Sequence, residues 1–271
     1  MKAAAHASAR SGTTRGRRRS ARATISAPSS NRRLAARLAF VLAALACGGA
    51  TQAQIVGSLG IASENRYRGT GTDDVGPVVR ASVMADSTAA FTNGAYAGLA
   101  GLWHTRDGGL ANAEALLGWS GRWNALGAFA DADPGWGWDA GVHRMHYGAG
   151  TRYDFSEAML GLLAPGASAR VWWSPHYFGG TWASIYSEVN GNVDLDEHWR
   201  VFGHLGALRY GNTGPGRHIP GRTDALLGAG YVIDAFDLRL TRDGLVSGRA
   251  IDDLDTSRRR AAWVFSASIA F

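Results

Sequence analysis

From Gln54 to Phe271 the chain alternates apolar and polar side chains in short segments, and nowhere approaches the roughly eighteen successive apolar residues of a transmembrane helix. A strand has a side-chain period of two, so such alternation gives it one apolar and one polar face. Segments of about ten residues with this pattern suit a membrane β-barrel, whose wall meets lipid on one side and a polar lumen on the other. Val79, Ala81, Val83 and Ala85 share a face against Arg80, Ser82, Met84 and Asp86. Ala167, Ala169, Val171 and Trp173 oppose Ser168, Arg170, Trp172 and Ser174, and Phe236, Leu238 and Leu240 alternate with Asp237, Arg239 and Thr241.

Twelve segments are predicted, near 55–66, 76–86, 94–104, 110–120, 139–147, 153–163, 167–174, 181–190, 199–209, 223–233, 236–243 and 261–271. The expected fold class is all-β: a transmembrane antiparallel up-and-down barrel of about 12 strands, within a range of roughly 10–14. An even count brings both termini to the periplasmic side. The glycine-rich stretches 210–222 and 244–260 then fall outside, while the tight connections Leu163 to Ala167 and Asp234-Ala235 fall in the periplasm. The long connection 121–138 breaks this rule, and an extra hairpin there would make fourteen strands.

The last segment carries an unbroken row, Trp263, Phe265, Ala267, Ile269 and Phe271, all on one face. A terminal strand of this kind, ending on phenylalanine, is the expected signal to a barrel-assembly machinery. Before the barrel stands a different region. Residues 1–37 hold ten basic side chains and no acid, and are followed by the apolar run Leu38 to Cys47 and then Ala50-Thr51-Gln52-Ala53. A basic start, a short apolar run and small residues at the cut form a secretory signal, here placed as residues 1–53 with cleavage between Ala53 and Gln54. The barrel is then 54–271, exported to the outer membrane of a Gram-negative bacterium. Its 18 basic residues face all 22 acids, so the high isoelectric point belongs to the leader and gives no argument for nucleic acid. Cys47, the only cysteine, lies in the leader, and Ala44 and Leu45 do not form a lipoprotein signal.

Two groups of motifs carry a resemblance. Ser63-Glu64-Asn65-Arg66-Tyr67-Arg68-Gly69-Thr70 is followed by Gly76-Pro77 and by Tyr96, Gly98 and Trp103. Later come Trp173-Ser174-Pro175-His176-Tyr177-Phe178-Gly179, then Ile185-Tyr186, Glu188 and Leu205-Gly206. In this order, over most of residues 55–271, they resemble the Gcw_chp family, also called TorF-type porins. Members of that family open with Ser-Asp-Tyr-x-Phe-Arg-Gly and later carry Tyr-Ser-Pro-Asp-Tyr-Phe-Gly. The resemblance implies an outer-membrane porin without catalytic residues.

Alternation also selects candidate pore-lining residues. Arg66, Arg80, Arg170, Arg200 and Arg239 are expected to face inward beside Glu114, Glu157, Glu188, Asp224 and Asp237, with Glu64. Lipid-facing arginine at mid-depth costs about 2–4 kcal/mol, so the lumen is the natural place for them. Two outcomes remain open: a charged constriction that filters polar small solutes, or a structural or adhesive barrel whose salt bridges close the lumen. A lipid-modifying enzyme is the third reading. It finds little support, because none of the histidines after the leader has serine two residues on, and there is no Gly-x-Ser-x-Gly, His-Glu-x-x-His or phosphate-cradling loop. His143 and His146, three apart, fall on opposite strand faces, so no metal or cofactor is expected. Asp252, Asp253, Asp255 and Arg258 to Arg260 read as a solvated loop, with calcium or lipid phosphate as the alternative. Trp103, Trp119, Trp173, Trp199 and Trp263 sit near strand ends, where an interfacial girdle would hold them among outer-membrane lipid and lipopolysaccharide.

The leader reading has a direct test. Intact mass of the exported protein should match a chain starting at Gln54, and a lipid-bearing mass that includes Cys47 would overturn it.

Overall fold

Strands that alternate in polarity still have unsatisfied backbone N–H and C=O groups at their edges, and the chain disposes of them by closing on itself. The computed structural model describes residues 53–71, 76–88, 93–122, 135–148, 151–211, 220–248 and 261–271. Twelve strands form the wall: β1 (Ala53–Ala62), β4 (Val78–Ser87), β5 (Ala95–His104), β6 (Leu110–Arg122), β7 (Gly137–Tyr147), β8 (Phe155–Ala164), β9 (Ala167–Ser174), β10 (Ser184–Asp194), β11 (Trp199–Tyr210), β12 (Arg222–Ile233), β13 (Phe236–Ser247) and β14 (Ala261–Ala270). Each pairs antiparallel with its neighbours in chain order, and β1 pairs with both β4 and β14, so the sheet is a closed barrel. A minimal hairpin, β2 (Arg66–Tyr67) and β3 (Thr70–Gly71), is a separate two-stranded sheet.

The expected up-and-down barrel of twelve strands is therefore the observed one. β6 pairs with β7 from Asn112–Tyr147 down to Arg122–Gly137, so no additional hairpin enters the wall between them. Three strands depart most from expectation, of which β13 runs on to Ser247, past 243. The first strand ends at Ala62, short of Arg66, because Arg68 (φ 49°) and Gly69 (φ 77°) take left-handed backbone that an extended strand excludes. The segment expected at 181–190 is instead Ser184–Asp194. Residues before it belong to a turn in which Tyr177–Gly179 is a single 3-10 turn and Phe178 (φ 49°) breaks the extended chain. Residues 1–52, all of the expected leader but Ala53, and the loop 252–260 lie outside the described residues.

The wall is apolar outside. Leu99, Leu117, Leu160, Val189, Leu205, Leu227 and Trp263 are all more than half exposed, on alternate positions of their strands. A water-soluble protein buries such side chains, so this face is matched to hydrocarbon. Trp119, Trp173 and Trp199 also stand exposed on strands of the wall.

Buried apolar residues collect inside the barrel, at the end opposite the start of β1 and Phe271, which mark its terminal end. Met145, Tyr147, Tyr153, Phe155, Tyr177, Tyr186 and Leu208 form this core, with Tyr67, Phe178, Trp172 and Tyr210 packed against it. Phe178 stacks 5.1 Å from Phe155 and meets Tyr177 edge-on at 4.8 Å. Its left-handed backbone is what lets two adjacent rings, Tyr177 and Phe178, enter the same cluster. Such ring pairs contribute about 0.5–1.5 kcal/mol each beyond their burial.

The seam is completed at the chain's end. Phe271 N–H donates to Gly57 at 3.0 Å and Gly57 N–H donates to Phe271 at 2.8 Å. The Phe271 ring lies over Gly57, in the space a side chain there would occupy. Deletion of Phe271 should abolish both bonds and leave protein that never acquires the heat-modifiable migration of a folded barrel. Wild-type migration of that variant would show that the seam closes without it.

Candidate functional site

Because inward positions recur every second residue, the wall delivers ionisable side chains to the lumen in rows. Arg80 (β4) reaches Glu114 (β6) at 3.4 Å, and His143 (β7) lies 4.0 Å from Glu114 and 3.7 Å from Glu157 (β8). Arg170 (β9) donates to Asp139 (β7) from Nε and Nη2 at 3.2 and 3.1 Å. Nearer the terminal end, Asp237 (β13) accepts from both Arg200 (β11) and Arg239 (β13), the latter at 2.5 Å. Two arginines share one carboxylate there, and Asp194 (β10) stands across from Arg200 in the register of the wall.

Higher in the barrel carboxylates gather round a histidine. His204 (β11) sits between carboxylates, with Nε2 3.0 Å from Asp224 (β12) and Nδ1 4.0 Å from Glu188 (β10). Tyr186 donates to Asp224 at 2.9 Å and lies 2.8 Å from the His204 ring. Gly206 is required opposite, since any side chain there would meet the Tyr186 hydroxyl. Asp243 (β13) approaches Arg66 at 3.7 Å.

Of the ten candidate residues, nine lie on strands of the wall and one, Arg66, does not. Arg66, and Glu64 with it, belong to the inserted segment instead of the first strand. Arg66 donates to Glu64 at 2.7 Å and to the Gly69 carbonyl at 2.6 Å, which ties the hairpin to itself. His143 faces inward while His146 faces out toward Asp154, as their spacing of three requires. Burial pushes the Asp154 carboxyl up, but the His146 ring, the Tyr147 amide and Arg144 outweigh it, and the group titrates below the ordinary carboxylate range.

Reasoning from alternation missed Asp139, Tyr186, His204 and Asp243, although each shares parity with a residue it did select on its own or a neighbouring strand. It could not have found Arg68. That guanidinium is buried at the far end, where Nη1 and Nη2 donate to Oε1 and Oε2 of Glu157 at 2.8 and 2.7 Å. Rings surround it, with Tyr186 4.0 Å and Tyr67 4.8 Å from its central carbon. The two motif groups singled out in the sequence, residues 63–70 and 173–179, meet at this point: Arg68 also lies 5.5 Å from the Tyr177 ring.

Two cavities remain around this inserted hairpin. One of about 770 Å³ is lined by Arg68, Glu157, Trp172, Glu188, His204 and Arg200 among others, and extends to Gly166 and Ala167 at the terminal end. A second of about 460 Å³ runs along β1, β4, β13 and β14, from Ser58 and Ser268 to Asn65 and Val78 at the far end. Arg66, Leu226, Arg239 and Asp243 border both. Among the described residues no cluster of histidine, cysteine and carboxylate has the arrangement of a metal site.

No family model and no curated protein sequence matches the chain. Among solved structures, the NanC porin aligns with 80% of this chain and 99% of its own at TM-score 0.50 and 9% identity. The KdgM porin gives the same coverage at TM-score 0.49 and 8% identity. At such identity the likeness is one of fold.

The buried pair at the far end makes a stability prediction. Replacing Glu157 by Ala strands a buried guanidinium, and loss of one partner of such a pair costs about 3–5 kcal/mol. Urea unfolding of Glu157→Ala should show a loss of that order, against a smaller one for Arg80→Ala, whose pair with Glu114 is half exposed. Equal, small effects would show that the Arg68 pair carries no load.

Proposed function

We propose that this chain is a small outer-membrane channel for passive diffusion of polar solutes, of the TorF type, delivered by a leader cleaved after Ala53. The observation that carries the reading is a wall apolar outside and ionic inside, enclosing two adjoining cavities bordered by ionic side chains. A polar, water-filled passage through hydrocarbon serves solutes that lipid excludes. The fold shared with the NanC porin agrees with it. The TorF assignment rests on the two motif groups, which this fold brings into one contact at the far end.

Its place in the outer membrane is supported by the same wall, since spanning by strands needs closure and an apolar belt. Lipid and lipopolysaccharide on the outside and assembly machinery acting on the last strand are the partners such a barrel needs. The aromatic cluster favours a rival, the structural barrel with a closed lumen, because it fills the centre of the far end. The second cavity supports the channel instead, since it lies along β1, β4, β13 and β14, on the side of the barrel away from that cluster.

Folded protein in planar bilayers should give small, discrete conductance steps. Asp237 is shared by Arg200 and Arg239, so Arg200→Ala removes one positive charge near the terminal mouth and should shift selectivity toward cations. Loss of Arg170 should act less on selectivity, because it leaves the Asp237 level unchanged. Silent bilayers holding demonstrably folded protein would sink the channel reading and leave the closed barrel.

A further inference from the structure

Arg68 occupies a receptor that the rest of the barrel supplies. Glu157 comes from β8, Trp172 from β9, Tyr186 from β10 and Tyr177 from the turn that follows β9, whereas Tyr67 comes from the hairpin itself. Both Glu157 oxygens accept from Arg68, at 2.8 and 2.7 Å. The guanidinium carbon stands 4.0, 4.8, 5.5 and 5.9 Å from the rings of Tyr186, Tyr67, Tyr177 and Trp172. A carboxylate taken two-pronged matches the planar guanidinium fork, and ring faces attract its charge once water is excluded. A compact ammonium matches that fork less well.

Three further features bear on what this receptor is for. The ligand arrives on a hairpin whose two strands pair through two residues each, with Arg68 itself held in left-handed backbone. The wall is hydrogen-bonded all round without that hairpin, so removing the Arg68 side chain leaves the receptor's wall residues attached. And Arg68, Glu157, Trp172 and Tyr186 all border the larger cavity, so a solute in the lumen reaches the site.

We propose that this cage of Glu157 and aromatic rings is a binding site for guanidinium-bearing solutes, filled here by the chain's own Arg68, which makes the Arg66–Gly71 hairpin a self-inhibiting plug. The tether gives Arg68 an effective concentration of roughly millimolar or above, so dilute free solute does not displace it. With Arg68 shortened, the cage is open to the same chemistry from outside. The site stands on geometry alone; its effect on flow rests on the channel reading.

The test uses refolded protein in detergent, with methylguanidinium as probe and methylurea, of similar shape but uncharged, as control. Calorimetric titration of Arg68→Ala should show saturable methylguanidinium binding in the millimolar range, and wild type none at the same concentrations. Binding should weaken by about tenfold or more in Arg68→Ala/Glu157→Gln, which loses the charge on the carboxylate. If Arg68→Ala refolds poorly, methylguanidinium should raise the yield of heat-modifiable barrel while methylurea does not, since a ligand that binds only the folded state stabilises it. In bilayers, Arg68→Ala should give larger steps than wild type, and methylguanidinium should reduce them. Equal response to the two probes, no binding and no folding rescue, or binding indifferent to Glu157→Gln would each overturn the site. Binding in detergent beside silent bilayers would overturn the channel reading and leave the site standing, whereas conduction without binding would do the reverse.

Discussion

Hydrocarbon offers a peptide group no partner, and each unpaired N–H or C=O in it costs several kcal/mol. Everything else in this structure is arranged around satisfying that demand. β1 and β14 meet from Ser58–Ala270 to Ala62–Ser266, and the Gly57–Phe271 pair adds one rung below. Closure fixes the register of every strand between, because a slip of one residue would turn the ionic row to lipid and the apolar row inward. The row Trp263, Phe265, Ile269 and Phe271 therefore does two things at once: it faces outward and it sets the parity of Ser266 and Ser268, which border the lumen.

Once register is fixed, the ionic row faces inside, while Arg144, Arg209 and Arg242 keep the outward parity, and inside the barrel is narrow enough for the row's members to meet. Arg170 spans to Asp139 across an intervening strand, a reach made available by Gly161 on β8 between them, where any side chain would collide with Asp139. Arg200 and Arg239 flank Gly230 on β12 in the same way. Small residues at inward positions are thus the complement of long ionic ones on the adjoining strands. The lumen is neither packed solid nor empty, since the pairs line cavities that still hold about 770 and 460 Å³.

Much of this was legible. Wall strands such as Val78–Ser87 and Ala167–Ser174 follow from period two because each residue meets the same two media as its neighbours two away, and local pattern is then sufficient. Glu157, Arg170 and Asp237 could be assigned to the lumen by parity alone. What parity cannot reveal is where a strand stops. Residues 63–66 continue the alternation of β1, yet the chain leaves the wall at Ser63 because of contacts made 89 residues away, between Arg68 and Glu157. The start of β10 was misplaced for a related reason: residues 181–183 look extended, but the ring pair Tyr177 and Phe178 commits the chain before them to the core. The motifs at 63–70 and 173–179 stood out as sequence without disclosing that they touch.

Arg68 and Phe178 share an uncommon feature: both are non-glycine residues in left-handed backbone, and both sit where the chain turns from the wall into the lumen. Such conformations persist only when surrounding contacts over-determine them. For Phe178 the contacts are apolar, with Phe155, Tyr147 and Tyr177, and they belong to the core. For Arg68 the decisive contact is one ion pair. An apolar cluster weakens gradually as its members are trimmed, whereas a buried ion pair fails at once when either partner goes, because the survivor is left charged and unsolvated. The two strained turns at the far end are therefore secured differently: the 175–183 turn by packing shared among several rings, the hairpin by the Glu157 carboxylate together with Tyr67 against Phe155 and Phe178 and Arg66 beside Asp243. Of the two, it is the hairpin whose hold turns most on one ionised group.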